Sequence, residues 1–362
     1  LSRRRFLQKV VGVTAVGALP FVSAPWIRHA GAATQSLNIL VWAGYEEEQV
    51  LKPFEERYKV KVNAKTFNGD EQMFAALTSS PPGTWDVVNP DAPFVERLVR
   101  AGLLRPLNPA DYPLEDFFER FQHFDQHWID GKMYGVTSRW GFYGIVYNTE
   151  KVDPADVQSY AGLWKKAYRG KVAIYDWYLP NMGCLSLYLG NKAPYDIDKA
   201  QFAKLTETLM SLKPQVGLIG DNAAVIQALA NQNAWLSIGG EWLEVLLIEQ
   251  GHPIALSSPQ EGGVSWTEAL CIMKDSQKPD LAKKFIQYMV SPEAQARLAW
   301  AKAFHATVPN RKVLHYLKPE QARLLRLDDP QKLETILKRI VPRKLPKDER
   351  PWIRAWQRFK SA

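Results

Sequence analysis

An α/β protein made of two sheet-and-helix units is the fold the sequence predicts, on three observations. The 362 residues exceed the usual span of one compact core. Strand-like and helix-like stretches alternate along the chain, and that alternation restarts after Tyr134. Apolar residues make up 46% and charged residues 23%, close to globular averages, and a mean hydropathy of −0.28 argues against a polytopic membrane protein. The 13 Trp, 14 Tyr and 15 Phe are the compositional anomaly, pointing to a large aromatic core or a flat-faced ligand.

The chain opens on S-R-R-R-F-L-Q-K at residues 2–9, which resembles a twin-arginine export signal in its Arg3-Arg4 pair and its Phe6-Leu7 step. An apolar run over 10–24 follows, too short to span a bilayer and interrupted by Pro20. Ala30-Gly31-Ala32 then offers small residues for cleavage, so residues 1–32 are expected to be a leader, with a mature start near Ala33.

Residues 37–42 form a short apolar run ending at Gly44, a buried-strand signature, and Glu46, Glu47 and Glu48 place negative charge where a helix begins. Val60, Val62, Ala64 and Thr66 alternate with Lys61, Asn63 and Lys65 as in a half-buried strand. Asn68 with Glu71 three residues on resembles a capping box. A third strand over 85–88 and a third helix over 92–101, stopped by Gly102, complete a β-α order that predicts a mainly parallel sheet covered on both faces. Beyond Tyr134, residues 140–148 read as a strand carrying two glycines, suited to crossing between units. Strands over 171–175, 235–238 and 254–257 then alternate with helices over 198–212 and 241–250. A strand over 265–273 returns, followed by helices over 280–290 and 292–303, the latter with Pro292 in its first turn.

Net charge is +8, but its distribution decides what it means. Residues 1–32 hold five basic and no acidic residues, residues 311–362 hold fifteen basic and six acidic, and the body between them holds 26 basic and 32 acidic. Basicity therefore belongs to the ends. No Gly-rich or base-stacking motif accompanies it, so nucleic acid is excluded as the partner and the basic tail reads as a solvated helical face. The sequence lacks G-x-S-x-G, H-E-x-x-H, Walker A and G-x-G-x-x-G patterns, which argues against an enzyme and against a bound cofactor. His123 and His127, spaced i, i+4 around Asp125, read as a surface helix pair rather than a metal clasp, and no metal is expected. Cys184 and Cys271 lie inside apolar runs, as two buried thiols or as a single disulfide.

Several segments resemble the periplasmic substrate-binding proteins of ABC importers, closest to the spermidine/putrescine-binding branch of extracellular solute-binding protein family 1. In order they are V-W-A-G-Y at 41–45, W-D-V-V-N-P-D-A-P-F-V at 85–95, A-G-L-L-R-P-L at 101–107 and W-G-x-x-G-I-V-Y-N at 140–148. They continue with G-L-W-K-K-A-Y-R-G-K-V at 162–172, E-G-G-V-S-W-T-E-A-L at 261–270 and V-P-N at 308–310, so the likeness spans about three quarters of the chain. It implies a two-lobe, type II-like periplasmic binding protein fold, each lobe a sheet flanked by helices, closing on a ligand at the hinge. Lobe one is expected over 34–142 plus 263–308 and lobe two over 143–262 plus 309–362. It also implies a monomer that binds a small amine in the periplasm and hands it to an inner-membrane permease.

The resemblance places Trp42, Tyr45, Trp140 and Trp266 around the ligand, with Glu268 where the family has an aspartate. Such residue types suit an aliphatic amine, whose methylenes lie on aromatic faces and whose ammonium groups want carboxylates and cation–π contacts. Trp266 and Glu268 share one strand face at i, i+2. Departures are informative. Asp176, followed by Trp177, is the sole acid left in a segment where the family carries more than one. Ile238-Gly239-Gly240 stands where the family has an aromatic, with Glu241 and Trp242 next to restore a charge and a ring. Asp91 and Phe94 replace a hydroxyl-aromatic site, and Asp91 equally suits a helix N-cap. Arg139, beside Trp140, is unusual in a polyamine site. Strand alternation turns the two in opposite directions, leaving Arg139 either on the surface or in an ion pair, or on the carboxylate of a zwitterionic, amino-acid-like ligand.

Overall fold

The buried strand expected over 37–42 is Ser36–Val41, and its alternation places Leu37, Ile39 and Val41 in one apolar cluster and Leu40 in another, so both faces are covered. Residues 35–362 are described here by a computed structural model; the export signal and cleavage site expected within 1–33 lie outside the described residues. The half-buried strand is Lys61–Thr66, an edge strand paired in parallel with Ser36–Val41 alone. Helix Glu48–Tyr58 buries Val50, Leu51 and Phe54 on one face and ends at Lys59 in the left-handed conformation.

Ten strands form one sheet. From one edge the order is Lys61–Thr66, Ser36–Val41, Val87–Val88, Gly263–Ile272, Val136–Asn148, Leu236–Gly240, Val172–Tyr175 and Val216–Gly220. Ile254–Ser257 pairs with Val136–Asn148, and Ile340–Pro342 with Gly263–Ile272. The first three strands are mutually parallel, as are the last three. The middle is antiparallel, while the first three strands run parallel as their β-α order predicts. The physical reason is connectivity: Val136–Asn148 carries the chain out of the first set and Gly263–Ile272 brings it back, so the two must run opposite ways.

Two large apolar clusters flank this central pair. One gathers Leu37, Phe54, Phe117, Trp140 and Phe285, the other Tyr160, Ile174, Leu185, Leu236 and Trp266. The C-terminal stretch divides between them, with Leu325, Leu333 and Leu337 in the first and Trp352, Trp356 and Phe359 in the second. Cys184 and Cys271 are both buried free thiols. His123 and His127 do not form a surface helix pair, since His127 is buried and Asp125–His127 is a 3-10 turn. Burial pushes the His127 imidazole down to about 3, so it stays neutral. Among the described residues no helix is long and apolar enough to cross a membrane, and no cluster of three metal-ligating side chains occurs.

Candidate functional site

A cavity of about 390 Å³ opens where the two apolar clusters meet, beside the central strand pair. Its size suits a small organic ligand. Eight of its lining residues are aromatic: Trp42 and Phe67 from the side of the first sheet edge, Tyr143, Tyr175, Trp177, Trp242 and Trp266 from the second cluster, and Phe304 from the hairpin after Trp300. Trp42 packs on Phe67 with ring centroids 4.5 Å apart. Trp242 stands edge-on to Trp266 and stacks on Phe304, at 5.8 and 5.6 Å. The cavity therefore presents extended ring faces to whatever enters it.

Its base holds two arginine–carboxylate pairs. Register across the central strands sets Glu268 directly opposite Arg139, and Arg139 grips it with two bonds, Nε to Oε2 at 2.9 Å and Nη2 to Oε1 at 3.1 Å. Arg139 is 1% exposed and Glu268 5%. The guanidinium lies between the Tyr45 and Phe304 rings, at 4.4 and 4.8 Å, and its Nη2 also donates to the Ala43 carbonyl. Burial works against that charge, but Glu268 and Tyr45 together more than offset it, so the Arg139 pKa lies above its ordinary value. Tyr45 donates to Glu268 Oε2 at 2.7 Å and lies 2.6 Å from Ser138 Oγ. Burial and the adjacent Glu268 charge hold its hydroxyl well above the usual phenol range, so it remains a donor. Gly44, at φ +97°, makes room here: a Cβ would stand 3.1 Å from Arg139 Nη1.

The second pair is Asp91 with Arg343, again both buried. Asp91 occupies the N-cap position of helix Ala92–Arg100, yet its side chain caps nothing. Instead Oδ2 takes Arg343 and Oδ1 accepts from the Thr267 backbone N–H. Arg343 lies 4.2 Å over the Trp177 ring, and its own N–H reaches Ser265 O. Burial lowers the guanidinium to about 9, with Asp70 and Glu71 opposing the shift, so it is still charged at neutral pH. Asp70 sits beneath, accepting from the Asp91 N–H, and burial raises its carboxyl well above the usual range.

Of the residues singled out from sequence, Trp42, Asp91, Trp177, Trp266, Glu268 and Arg139 line the cavity. Tyr45 acts behind Glu268 rather than on the cavity wall. Phe94 is buried with Leu40 and Val88 under the other sheet face, because it lies on the inward side of its helix. Trp140 is corrected in the same way: alternation does oppose it to Arg139, but it is the tryptophan that enters the core, 5.1 Å from Phe121, while the arginine faces the cavity. Asp176 is held by Trp356 Nε1 and Lys360 of the C-terminal helix, both at 2.8 Å. Glu241 points at the central strand, and the ring beside it, Trp242, is the one that lines the cavity. Arg343, Phe304, Tyr143 and Tyr175 escaped the sequence reading. Tyr143 had an available signal, two residues after Gly141 on the crossover strand; Arg343 had none, since it meets Asp91 only through a chain separation of 252.

Glu241 carries a pH dependence. Its Oε2 accepts from the Phe142 N–H at 3.1 Å, and a Cβ on Gly141 would fall 1.6 Å from Oε1, so glycine is required beneath it. Desolvation raises its pKa from 4.5 to about 8, with the Phe142 bond opposing. For a raised acid, the folded state holds the proton longer than the unfolded one. The stabilisation is full below the unfolded value and is lost as pH climbs through about 8. Glu241→Gln is expected to flatten this slope and to be more stable than the parent above pH 8, by up to roughly 4 kcal/mol. Urea unfolding between pH 5 and 9 checks this, and parallel profiles for parent and variant would refute it.

A family model described as bacterial extracellular solute-binding protein matches residues 49–315. The chain is 26% identical over 283 residues to the spermidine/putrescine-binding periplasmic protein 1 of Haemophilus influenzae, covering 75% of this chain and 74% of that one. It is 24% identical over 296 residues to the spermidine/putrescine-binding periplasmic protein of Escherichia coli, covering 78% and 79%. Among solved structures, the spermidine/putrescine ABC transporter substrate-binding protein PotD from Streptococcus pneumoniae superposes with a TM-score of 0.73 at 21% identity, over 91% of this chain and 98% of that one, a likeness of fold.

Proposed function

The chain belongs to the bacterial extracellular solute-binding protein family, and from that premise we propose that it captures a small organic amine in the aromatic cavity and delivers it to the permease of an ABC importer. The observation that carries this reading is the cavity wall, where ring faces from both apolar clusters surround one small-molecule volume. Stacked rings hold methylenes and attract ammonium groups without needing a reactive side chain. Relatives named for spermidine and putrescine support an amine as the solute. The two apolar clusters correspond to two lobes, with the paired strands Val136–Asn148 and Gly263–Ile272 as the hinge, and closure expels water so that the contacts strengthen. The protein acts as a monomer in the periplasm, reached by the twin-arginine route, and performs no chemistry on its solute.

A ligand that binds only the folded form adds RT ln(1 + [L]/Kd) to stability, about 2.7 kcal/mol at a hundredfold excess over Kd. Thermal unfolding across amines, amino acids, sugars and metal salts is therefore expected to shift upward with at least one amine. A shift with sugars or metals alone would refute the amine reading.

A further inference from the structure

A site for a bare polyamine needs free acceptors, because every polar hydrogen of a polyamine is a donor. The cavity supplies few. Both oxygens of Glu268 already accept from Arg139 or Tyr45, and each oxygen of Asp91 from Arg343 or Thr267, so both carboxylates are charge-paired within the protein. The remaining lining carboxylate, Asp221, is exposed at the start of helix Asn222–Ala230, with Oδ1 committed to the Ala224 N–H.

The unsatisfied groups tell the complementary story. Among the lining residues, the buried polar atoms without a partner are Arg139 Nη1, Arg343 Nε, the four indole Nε1 atoms of Trp42, Trp177, Trp242 and Trp266, and Asn222 Oδ1. Six of these are N–H donors, and the seventh belongs to an amide whose oxygen and nitrogen exchange places by a flip. Leaving buried donors unpaired costs free energy, and two here are charged, so the polar groups around the cavity are short of acceptors rather than of donors.

Resting on the amine-capture reading above, we infer that the solute carries an anionic oxygen group, a carboxylate, together with its amine: a small zwitterion, not a polyamine. The guanidinium groups of Arg139 and Arg343 face the carboxylate end, and each is already turned to charge-assisted pairing. Ring faces and the exposed Asp221 carboxylate suit the ammonium end.

Matched probes test this on the unaltered full chain. Calorimetric titration compares putrescine with γ-aminobutyrate and choline with glycine betaine, each pair differing by a carboxylate, and adds succinate as an acid without an amine. The zwitterion of at least one pair is expected to bind about tenfold or more tighter than its partner. Equal or tighter binding of the diamine and choline overturns this inference and leaves amine capture standing. Succinate binding as tightly as the zwitterions overturns amine capture and leaves the carboxylate assignment. Saturation by no probe overturns both. Arg343→Lys keeps a cation beside Asp91 but removes the planar fork, and it is expected to weaken the preferred zwitterion about tenfold while leaving its cationic partner unchanged; an equal loss for both probes counts against the assignment of Arg343.

Discussion

Glu268→Gln is expected to destabilise the protein by about 3–5 kcal/mol, because it leaves the Arg139 guanidinium buried without its counter-charge. The penalty comes from geometry. Arg139 is 1% exposed, is fixed between two rings, and has Glu268 as the partner for two of its donors. At 1% exposure water compensates the lost carboxylate poorly, and the Gln amide offers one acceptor where two were used. Replacing the whole pair, Arg139→Met with Glu268→Leu, is expected to recover most of the loss, since a buried ion pair exchanged for apolar groups of like volume is often neutral. Urea unfolding of parent, single and double variants measures this. A Glu268→Gln midpoint equal to that of the parent would show that the pair does not form. The result also changes how binding data on Glu268 variants should be read, because their affinity losses contain a folding component.

Trp42→Ala and Trp177→Ala are each expected to weaken solute binding by about 2–4 kcal/mol, or roughly thirty- to a thousandfold. The two rings line the cavity from different clusters, Trp42 on Phe67 and Trp177 under Arg343. Both are only partly buried, so truncation removes ligand contact without opening a sealed core. Stability is expected to fall by no more than about 2 kcal/mol, well short of the cost at fully buried aromatics. Affinities that stay within about threefold of the parent in both variants would place the solute elsewhere.

Much of the fold was legible because local rules and global burial agree. The runs that became Ser36–Val41 and Lys61–Thr66 show their period, and Pro292 does open a helix, at Pro292–Ala299. The antiparallel centre was not, since strand direction depends on how the chain connects two halves and leaves no mark in a single segment. The site divides along the same line. The i, i+2 relation between Trp266 and Glu268 puts both on the cavity, as strand alternation requires. Alternation also opposes Arg139 to Trp140, but parity alone does not say which of the two faces the cavity; that is settled by the register that sets Arg139 opposite Glu268. Arg343 was illegible for a different reason. It sits in a basic C-terminal stretch whose charge suggests a solvated face, and its burial depends on strand Ile340–Pro342 joining Gly263–Ile272.

The most direct test of the central claim is calorimetric titration of the unaltered full chain with the amine that gives the largest thermal shift. The account predicts saturable one-to-one binding with a negative heat-capacity change, as expected when apolar and aromatic surface is buried, and loss of that signal in Trp42→Ala. Saturable binding of a sugar or a metal ion, with no heat from any amine, would contradict it.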